Sequence, residues 1–575
     1  MHDTQSSAAD NGGKNQLQRS YKESIIAILL LAVIFCLSCY LKFSPGMKWP
    51  GYDASEYHYV AKNIVAGNGL EVNVAGQFYP RPPSVKHKII PFHMPLNYYL
   101  LAASYKLFGI NSPGGGVGCA VGGARGAAVI LDFILGLAVF FVAKRLSGQD
   151  ILAAFFASAI YMTHTTTLSA RSSGGAAAGF AMFFGFFFAW FAYKSIENPV
   201  NFIPAGIFGA LSYLIRNEGL FTIAGLIAVY FFALKTHGKK KLLPYFLAGT
   251  FIIVATFVLW EVRNYSLFGH SAAASRYNMM FGRDYYDMWR YYPEPSSVWN
   301  FVSEYLKIGL PKIIITKIQS YHYKIMWGMD AVGFPLALFL IAGVAASSSL
   351  DKKILIAPLA YFVVTYIFFG FFNAHSQQWG WYAAEVFLPL WTIVAVMGCF
   401  NLPLKILMEK SSLTRRAAGI CCASLILIFY LACAARDYFK NKKSPSDPVA
   451  ELAAEVNRFR LDNSDPVIMT HIPYLFNYFY PDIKSVQIPT NEPIEVIREV
   501  AEKYDCRYLV LYGVIPSAYP FAFKDIYYGT GNMDGFTEVF SKPNPTGLAL
   551  EGAGGTLKIF KIENNKSLSL RERKR

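Results

Sequence analysis

A run of about 18 almost uncharged residues, Ser24 to Leu41, sets the terms for the rest of the chain. A helix over it reaches roughly 27 Å, close to the ~30 Å of a bilayer's hydrocarbon core. Ten more apolar segments follow, near 119–143, 151–168, 174–193, 201–215, 219–234, 243–262, 331–348, 354–372, 382–400 and 417–434. Those at 151–168 and 201–215 are short or interrupted. Inside hydrocarbon each backbone N–H and C=O must be paired within its own segment, so these runs are expected to be helices. The first is longer than a usual signal-peptide core, and no small-x-small cleavage site follows it. It reads as an uncleaved first span. The expected fold class is an α-helical polytopic membrane protein with about 11 transmembrane helices. Composition agrees: 16% of residues are charged, against about 25% in a soluble protein.

The net charge is +16. No basic stripe with interleaved aromatics appears, so nucleic acid is not an expected partner; Lys and Arg in short cytoplasmic loops are the simpler cause. Alternate loops hold Lys14, Arg19 and Lys22; Lys144 and Arg145; Lys194; Lys235 with Lys239, Lys240 and Lys241; Lys352 and Lys353; and Lys405, Lys410, Arg415 and Arg416. Placing these inside puts the N-terminus in the cytoplasm. Loops 42–118 and 264–330 and everything after 435 are then external. The expected location is a plasma or inner membrane. The eight cysteines show no CxxC…CxxC spacing, and Cys506 stands alone in the C-terminal region, so no disulfide can form within it.

The expected organisation is a disordered cytoplasmic N-terminus (1–20), a membrane domain (21–435), an external α/β domain (436–563) and a disordered tail (564–575). The α/β reading rests on charged helical patterns, "ELAAEVNRFRLD" and "EPIEVIREVAEKYD", between short β-rich runs, "PVIMT", "KSVQIP", "RYLVLYG" and "TLKIFKI". No GxGxxG follows a strand, so no nucleotide fingerprint is present. A lid or acceptor-binding module without chemistry of its own fits this region. The Gly-rich stretch 114–126 lacks a following Gly-Lys-Ser/Thr and is read as a linker leading into close helix packing.

Chemistry concentrates in the first long loop. "GYDASEYHYVAKNIVAGNGL", residues 51–70, predicts an amphipathic helix beginning after Asp53 and lying along the membrane interface. Tyr57, Val60, Ala61, Ile64 and Val65 share one face, and Gly67 fits the position just past its end. Asp53 and Glu56 have the spacing of a capping box, which is a structural role; they are equally a pair of acids at one helix end. Lys86, His87, Lys88 and His93 follow, ahead of the aromatic apolar helix near "PLNYYLLAASYKLFG". They are candidates for holding a lipid phosphate, with plain attraction to anionic headgroups as the alternative. Arg125, Arg171, Arg216, Glu218 and Arg263 stand at span ends on the expected external side, and Asp132 lies about two turns into its helix. A charge deep in a span costs roughly 2.5–3.5 kcal/mol on insertion scales, so it has a partner or a function.

Together these segments resemble the GT-C superfamily of membrane glycosyltransferases, with protein O-mannosyltransferases and lipid A aminoarabinose transferases as the nearer kin. "YDASEYHYVAKNIVAGNGL" is similar to the family's first-loop pattern, and "HMPLNYYLLAASYKLFG" to its H/K-P-P-L-x-Y-Y segment. "GARGAAVIL…VAKRLSG" resembles the next helix, "LIRNEGL" the R-P-E-G step and "LWEVRNYSLFGH" the W-x-x-R-N turn. The likeness runs from about residue 20 to 400. It implies transfer of a sugar from a polyprenyl-phosphate carrier to a lipid, protein or glycan acceptor on the non-cytoplasmic face. Asp53 would be the catalytic base and Glu56 a nearby acid. Lys86, Lys88, His93, Arg125, Asp132, Arg216 and Arg263 would serve the donor phosphate and substrate, with membrane lipids around them. Met94 and Asn217 replace prolines of the pattern, and "SSGGAAAG" after Arg171 lacks the acid many relatives carry. The use of a divalent cation is therefore left open. A non-catalytic lipid or polysaccharide transporter is the alternative; internal inverted repeats would favour it, and none is visible.

Overall fold

The computed structural model describes residues 4–43, 52–76, 82–88, 94–108, 117–172, 177–268, 289–291, 306–307, 311, 314–315, 332–346, 352–370, 384–401, 412–442, 448–512, 519–529, 533–543 and 556–563. A helix occupies each expected apolar segment. In chain order these are α1 (Thr4–Phe43), then, after two loop helices α2 (Tyr52–Val65) and α3 (Leu96–Leu107), α4 (Val117–Leu146) and α5 (Ile151–Thr163). A short α6 (Thr165–Ser172) leads to α7 (Ala177–Ser195), α8 (Phe202–Ile215), α9 (Thr222–His237) and α10 (Lys239–Phe268). The set closes with α11 (Phe334–Ala346), α12 (Ile356–Gly370), α13 (Leu388–Asn401) and α14 (Ser412–Lys442). Six of the described helices are long and apolar enough to cross a membrane by themselves: those over 21–43, 126–146, 177–195, 217–237, 239–268 and 416–439. The other five are shorter. Residues 4–20, expected to be disordered, continue α1 instead. No proline interrupts them, and once a helix is nucleated each added residue gains a hydrogen bond.

Small residues let these helices approach closely. A Cβ on Gly343 would lie 2.1 Å from the Val394 carbonyl oxygen, and one on Gly398 2.2 Å from that of Phe339. These two glycines therefore fix the crossing of α11 with α13. Gly206 and Gly249 do the same for α8 and α10. Such contacts replace the hydrophobic driving force that is missing between helices in lipid.

The C-terminal region is a small α/β domain. It contains α15 (Pro448–Asp462), β4 (Val467–Thr470), α16 (Pro473–Phe479), β5 (Ser485–Gln487), α17 (Ile494–Lys503), β6 (Cys506–Leu511), α18 (Phe521–Tyr528), β7 (Phe536–Pro543) and β8 (Thr556–Ile562). Its sheet has the order β2-β5-β4-β6-β8-β7, and β2 is Val74–Ala75 of the first loop. Val74 and Ala75 pair in parallel with Ser485 and Val486. Strands β5, β4 and β6 are also parallel, while β8 and β7 run antiparallel. Alternate residues divide between two cores. Met469, Val486 and Leu509 face Ile497, Val500 and Phe523 of α17 and α18. Ile468 and Val510 face Leu452, Val456, Leu475 and Phe476 of α15 and α16.

The first loop is built into this domain. Val85 joins one of its cores, as does Tyr291 of the later loop; Tyr504 donates to the Pro82 carbonyl at 2.8 Å, and Asn73 Nδ2 donates to that of Pro481 at 3.3 Å. Loop and domain therefore lie at the same end of the helical bundle.

Candidate functional site

Helix α2 ends as its sequence dictates. Gly67 N–H donates to the Ile64 carbonyl and Asn68 N–H to that of Asn63, with Gly67 at φ +86°. This is the paired closure of a Schellman motif, which favours glycine at the left-handed position. The one-faced interfacial helix expected from the pattern is not found. Every residue from Ala54 to Ala61 is buried, because α3 packs on one side and α16 on the other. The Lys62 ammonium donates to the Tyr478 carbonyl at 2.9 Å and stands 5.1 Å from the centre of that ring. Burial lowers its pKa to about 8. His58 meets the Tyr105 hydroxyl at 2.5 Å and the edge of Tyr478.

Asp53 and Glu56 occupy different environments. Asp53 sits in the first turn of α2 and is exposed. Glu56, one turn on, is buried and accepts a hydrogen bond from the Tyr98 hydroxyl at 2.7 Å. Its carboxylate thus reaches α3. Burial and the Glu56 carboxylate together push the Tyr98 phenol well above its ordinary pKa, which keeps it a donor. Tyr474 of α16 is half-buried and its phenol interacts with the same carboxylate; burial and that negative charge raise its pKa in the same way. The site therefore has walls from α2, α3 and the C-terminal domain.

The next polar layer follows directly. Asn97 Nδ2 donates to the Ile215 carbonyl at 3.0 Å, tying α3 to the end of α8. Arg216 comes next, with its Nε 3.4 Å from Glu218 and its Nη1 3.3 Å from Glu385. Both carboxylates are buried. Arg216 is thus shared between two acids. Arg263, near the end of α10, differs. It donates to Asn264 Oδ1 at 2.8 Å and stacks 4.7 Å from the Trp260 ring centre. Tyr98 and Tyr99 are near enough to interact with its charge, and it forms no ion pair among the described residues.

The remaining expected residues are dispersed. Lys86 precedes and Lys88 ends β3 (His87–Lys88), which pairs with β1 (Glu71–Val72). Both bridge to Glu71, at 3.3 and 2.9 Å, on an exposed surface. Asp132 accepts from the Tyr161 hydroxyl at 2.7 Å, joining α4 to α5. Arg125 lies within α4 and Arg171 within α6; His93 lies outside the described residues. Three partners escaped the sequence reading: Tyr98, Tyr474 and Glu385. Only Tyr98 left a signal, the polar Asn97-Tyr98 pair opening an apolar helix. Among the described residues no three His, Cys, Asp or Glu side chains converge.

Neither a protein-family model nor a curated protein sequence matches the chain. Solved structures do. The chain is similar to apo ArnT from Cupriavidus metallidurans, with a TM-score of 0.53 and 12% identity over 93% of this chain and 97% of that one. The same enzyme bound to undecaprenyl phosphate gives a TM-score of 0.51 at 11% identity. The apo oligosaccharyltransferase of Archaeoglobus fulgidus gives 0.50 at 12% identity, over 84% of this chain and 69% of that one. At such identities the likeness is one of fold: the chain shares the fold of ArnT and of the archaeal oligosaccharyltransferase.

Proposed function

We propose that the chain transfers a sugar from a polyprenyl-phosphate carrier to an acceptor, with Asp53 as general base. The observation that carries this reading is the asymmetry of the two acids. Glu56 is buried and held by Tyr98, while Asp53, one turn earlier, is exposed and so open to a substrate in the proposed reaction. The fold is consistent, since it is shared with an enzyme solved with undecaprenyl phosphate.

In this reaction the acceptor oxygen or nitrogen attacks the anomeric carbon, and its proton passes to Asp53. The carbon–oxygen bond to phosphate breaks and the carrier leaves with the electron pair. Phosphate is already a good leaving group, so no general acid is needed. A cation near the leaving oxygen stabilises the developing charge, and Arg263, free of carboxylate partners among the described residues, suits that task better than Arg216. A single displacement inverts the sugar. Basic loops facing the cytoplasm would place the first loop, the α/β domain and the reaction on the opposite face.

Asn caps and packs much as Asp does but takes no proton at neutral pH. Asp53→Asn should keep the thermal transition of the purified protein and lose transfer from a panel of radiolabelled polyprenyl-phosphate sugars to membrane extracts. Undiminished transfer would reduce Asp53 to a structural residue. Mass spectrometry of lipids, glycans and envelope proteins, with and without the gene, identifies sugar and acceptor.

A further inference from the structure

Helix α2 carries a second buried polar group that the transfer chemistry does not use. His58 is fully enclosed and lies between α3 and α16. Its Nδ1 meets the Tyr105 hydroxyl of α3 at 2.5 Å. Its ring stands edge-on to Tyr478 of α16, with 5.7 Å between centres. Tyr105 is buried as deeply. Burial, with Tyr478 adding to it, raises the Tyr105 phenol well above its ordinary pKa. The hydroxyl therefore keeps its proton and can donate it to Nδ1.

This contact is the second of its kind between the two helices. Tyr98 of α3 donates to Glu56 at 2.7 Å. Tyr98 and Tyr105 are seven positions apart, so they share a face of α3 and lie about 10 Å apart along its axis. One point of attachment leaves a helix free to pivot; two set its direction. Asp53, in the first turn of α2, inherits that direction. On the far side the Lys62 ammonium holds the Tyr478 carbonyl at 2.9 Å, so α16 closes the other flank of the same stretch. Packing alone does not account for the pair. Burying polar groups costs free energy, and two apolar rings of the same shape can fill such a space with little or no loss of stability. Apolar rings do not supply a directed contact.

We propose that His58 is a positioning residue: with Tyr105 it forms the second anchor that fixes the direction of α2, and thereby the approach of Asp53 to the acceptor. Its effect on rate rests on the proposed transfer reaction; its hold on α2 does not. A displacement of about 1 Å at a reacting group can cost roughly a hundredfold in rate, so a small pivot of α2 is enough to slow transfer.

Four variants of the full-length reconstituted protein test this: His58→Phe, Tyr105→Phe, the two combined, and His58→Asn, whose side-chain amide places an acceptor where Nδ1 stands. Each single Phe variant should lower kcat about tenfold or more. KM for the polyprenyl-phosphate sugar should stay within about twofold, since aim is lost and not binding. The combined variant should be as slow as either single one, because the same interaction is removed only once. It should melt no lower than they do, because neither partner is left unpaired. His58→Asn should recover most of the rate. Amide hydrogen exchange gives a readout that needs no turnover: in each single Phe variant the amides of α2 should exchange about tenfold faster, while those of α4 and α9 keep their protection. The inference is overturned if exchange in α2 is unchanged, if either single Phe variant keeps the wild-type kcat, if the combined variant regains it, or if His58→Asn is no better than His58→Phe. A wild type without any transfer would remove the proposed function, and exchange in α2 would then decide the role of His58 by itself.

Discussion

A buried acid and a half-buried amine make the residue-scale arguments. Glu56 depends on the Tyr98 hydroxyl, and a hydrogen bond to a charged group contributes about 1.5–3 kcal/mol. Tyr98→Phe should therefore slow transfer about tenfold to a hundredfold while leaving Asp53 in place, as initial rates on reconstituted protein would show. An unchanged rate would mean that holding Glu56 has no part in catalysis. Lys62 makes a pH-dependent contribution. Its folded pKa is about 8, below the ordinary 10.5, so between these values the unfolded chain binds the extra proton. Stability then rises as pH climbs through that window. Relative to Lys62→Met, the wild type should gain on the order of 2–3 kcal/mol between pH 7.5 and 10.5. Paired denaturation curves measure this, and a flat difference would place Lys62 in open water.

Elements were legible where a pattern repeats within one segment, and illegible where it depends on a distant one. The eleven apolar runs, the paired helix signals of the α/β domain and four of its strands all carry their own periodicity, and each is found as a helix or strand. Strand β2 has two residues and no alternation to read; only its partner β5, more than 400 residues later, makes it a strand. The same separation hid the burial of α2, since the face that looked polar is covered by α16. In the candidate site, the acids at 53 and 56 and the glycine at 67 were local signals. The Arg216–Glu385 contact spans 169 positions and left none. Two element-scale outcomes follow. Ala75→Pro removes a strand N–H and distorts the junction of loop and domain, so limited proteolysis should cut near residue 76 faster while the bundle stays folded. Gly343→Leu inserts a side chain where even a Cβ meets a backbone oxygen at 2.1 Å. It should separate α11 from α13 and lower the Tm by several degrees or abolish expression, a core-overpacking cost of about 1–3 kcal/mol or more.

At the scale of the whole molecule, one sheet constrains the topology. Because β2 belongs to the first loop and β5 to the C-terminal domain, these two regions lie on the same side, and the chain between them crosses the membrane an even number of times. Among the described residues ten helices stand in the expected span positions between them, five of them long enough to span unaided; an even number of crossings requires that shorter helices span as well. If all ten cross, the basic loops, such as the one with Lys239, Lys240 and Lys241, would belong to the opposite face. Single cysteines introduced into a cysteine-free background test this in intact cells. Asn68→Cys in the first loop and Glu538→Cys on the exposed strand β7 should react with a membrane-impermeant maleimide from outside. Lys240→Cys should react only after permeabilisation. Labelling of 68 and 538 from opposite faces would contradict the shared sheet itself. Joint labelling of all three from outside would keep the sheet but remove the orientation on which the proposed external reaction depends.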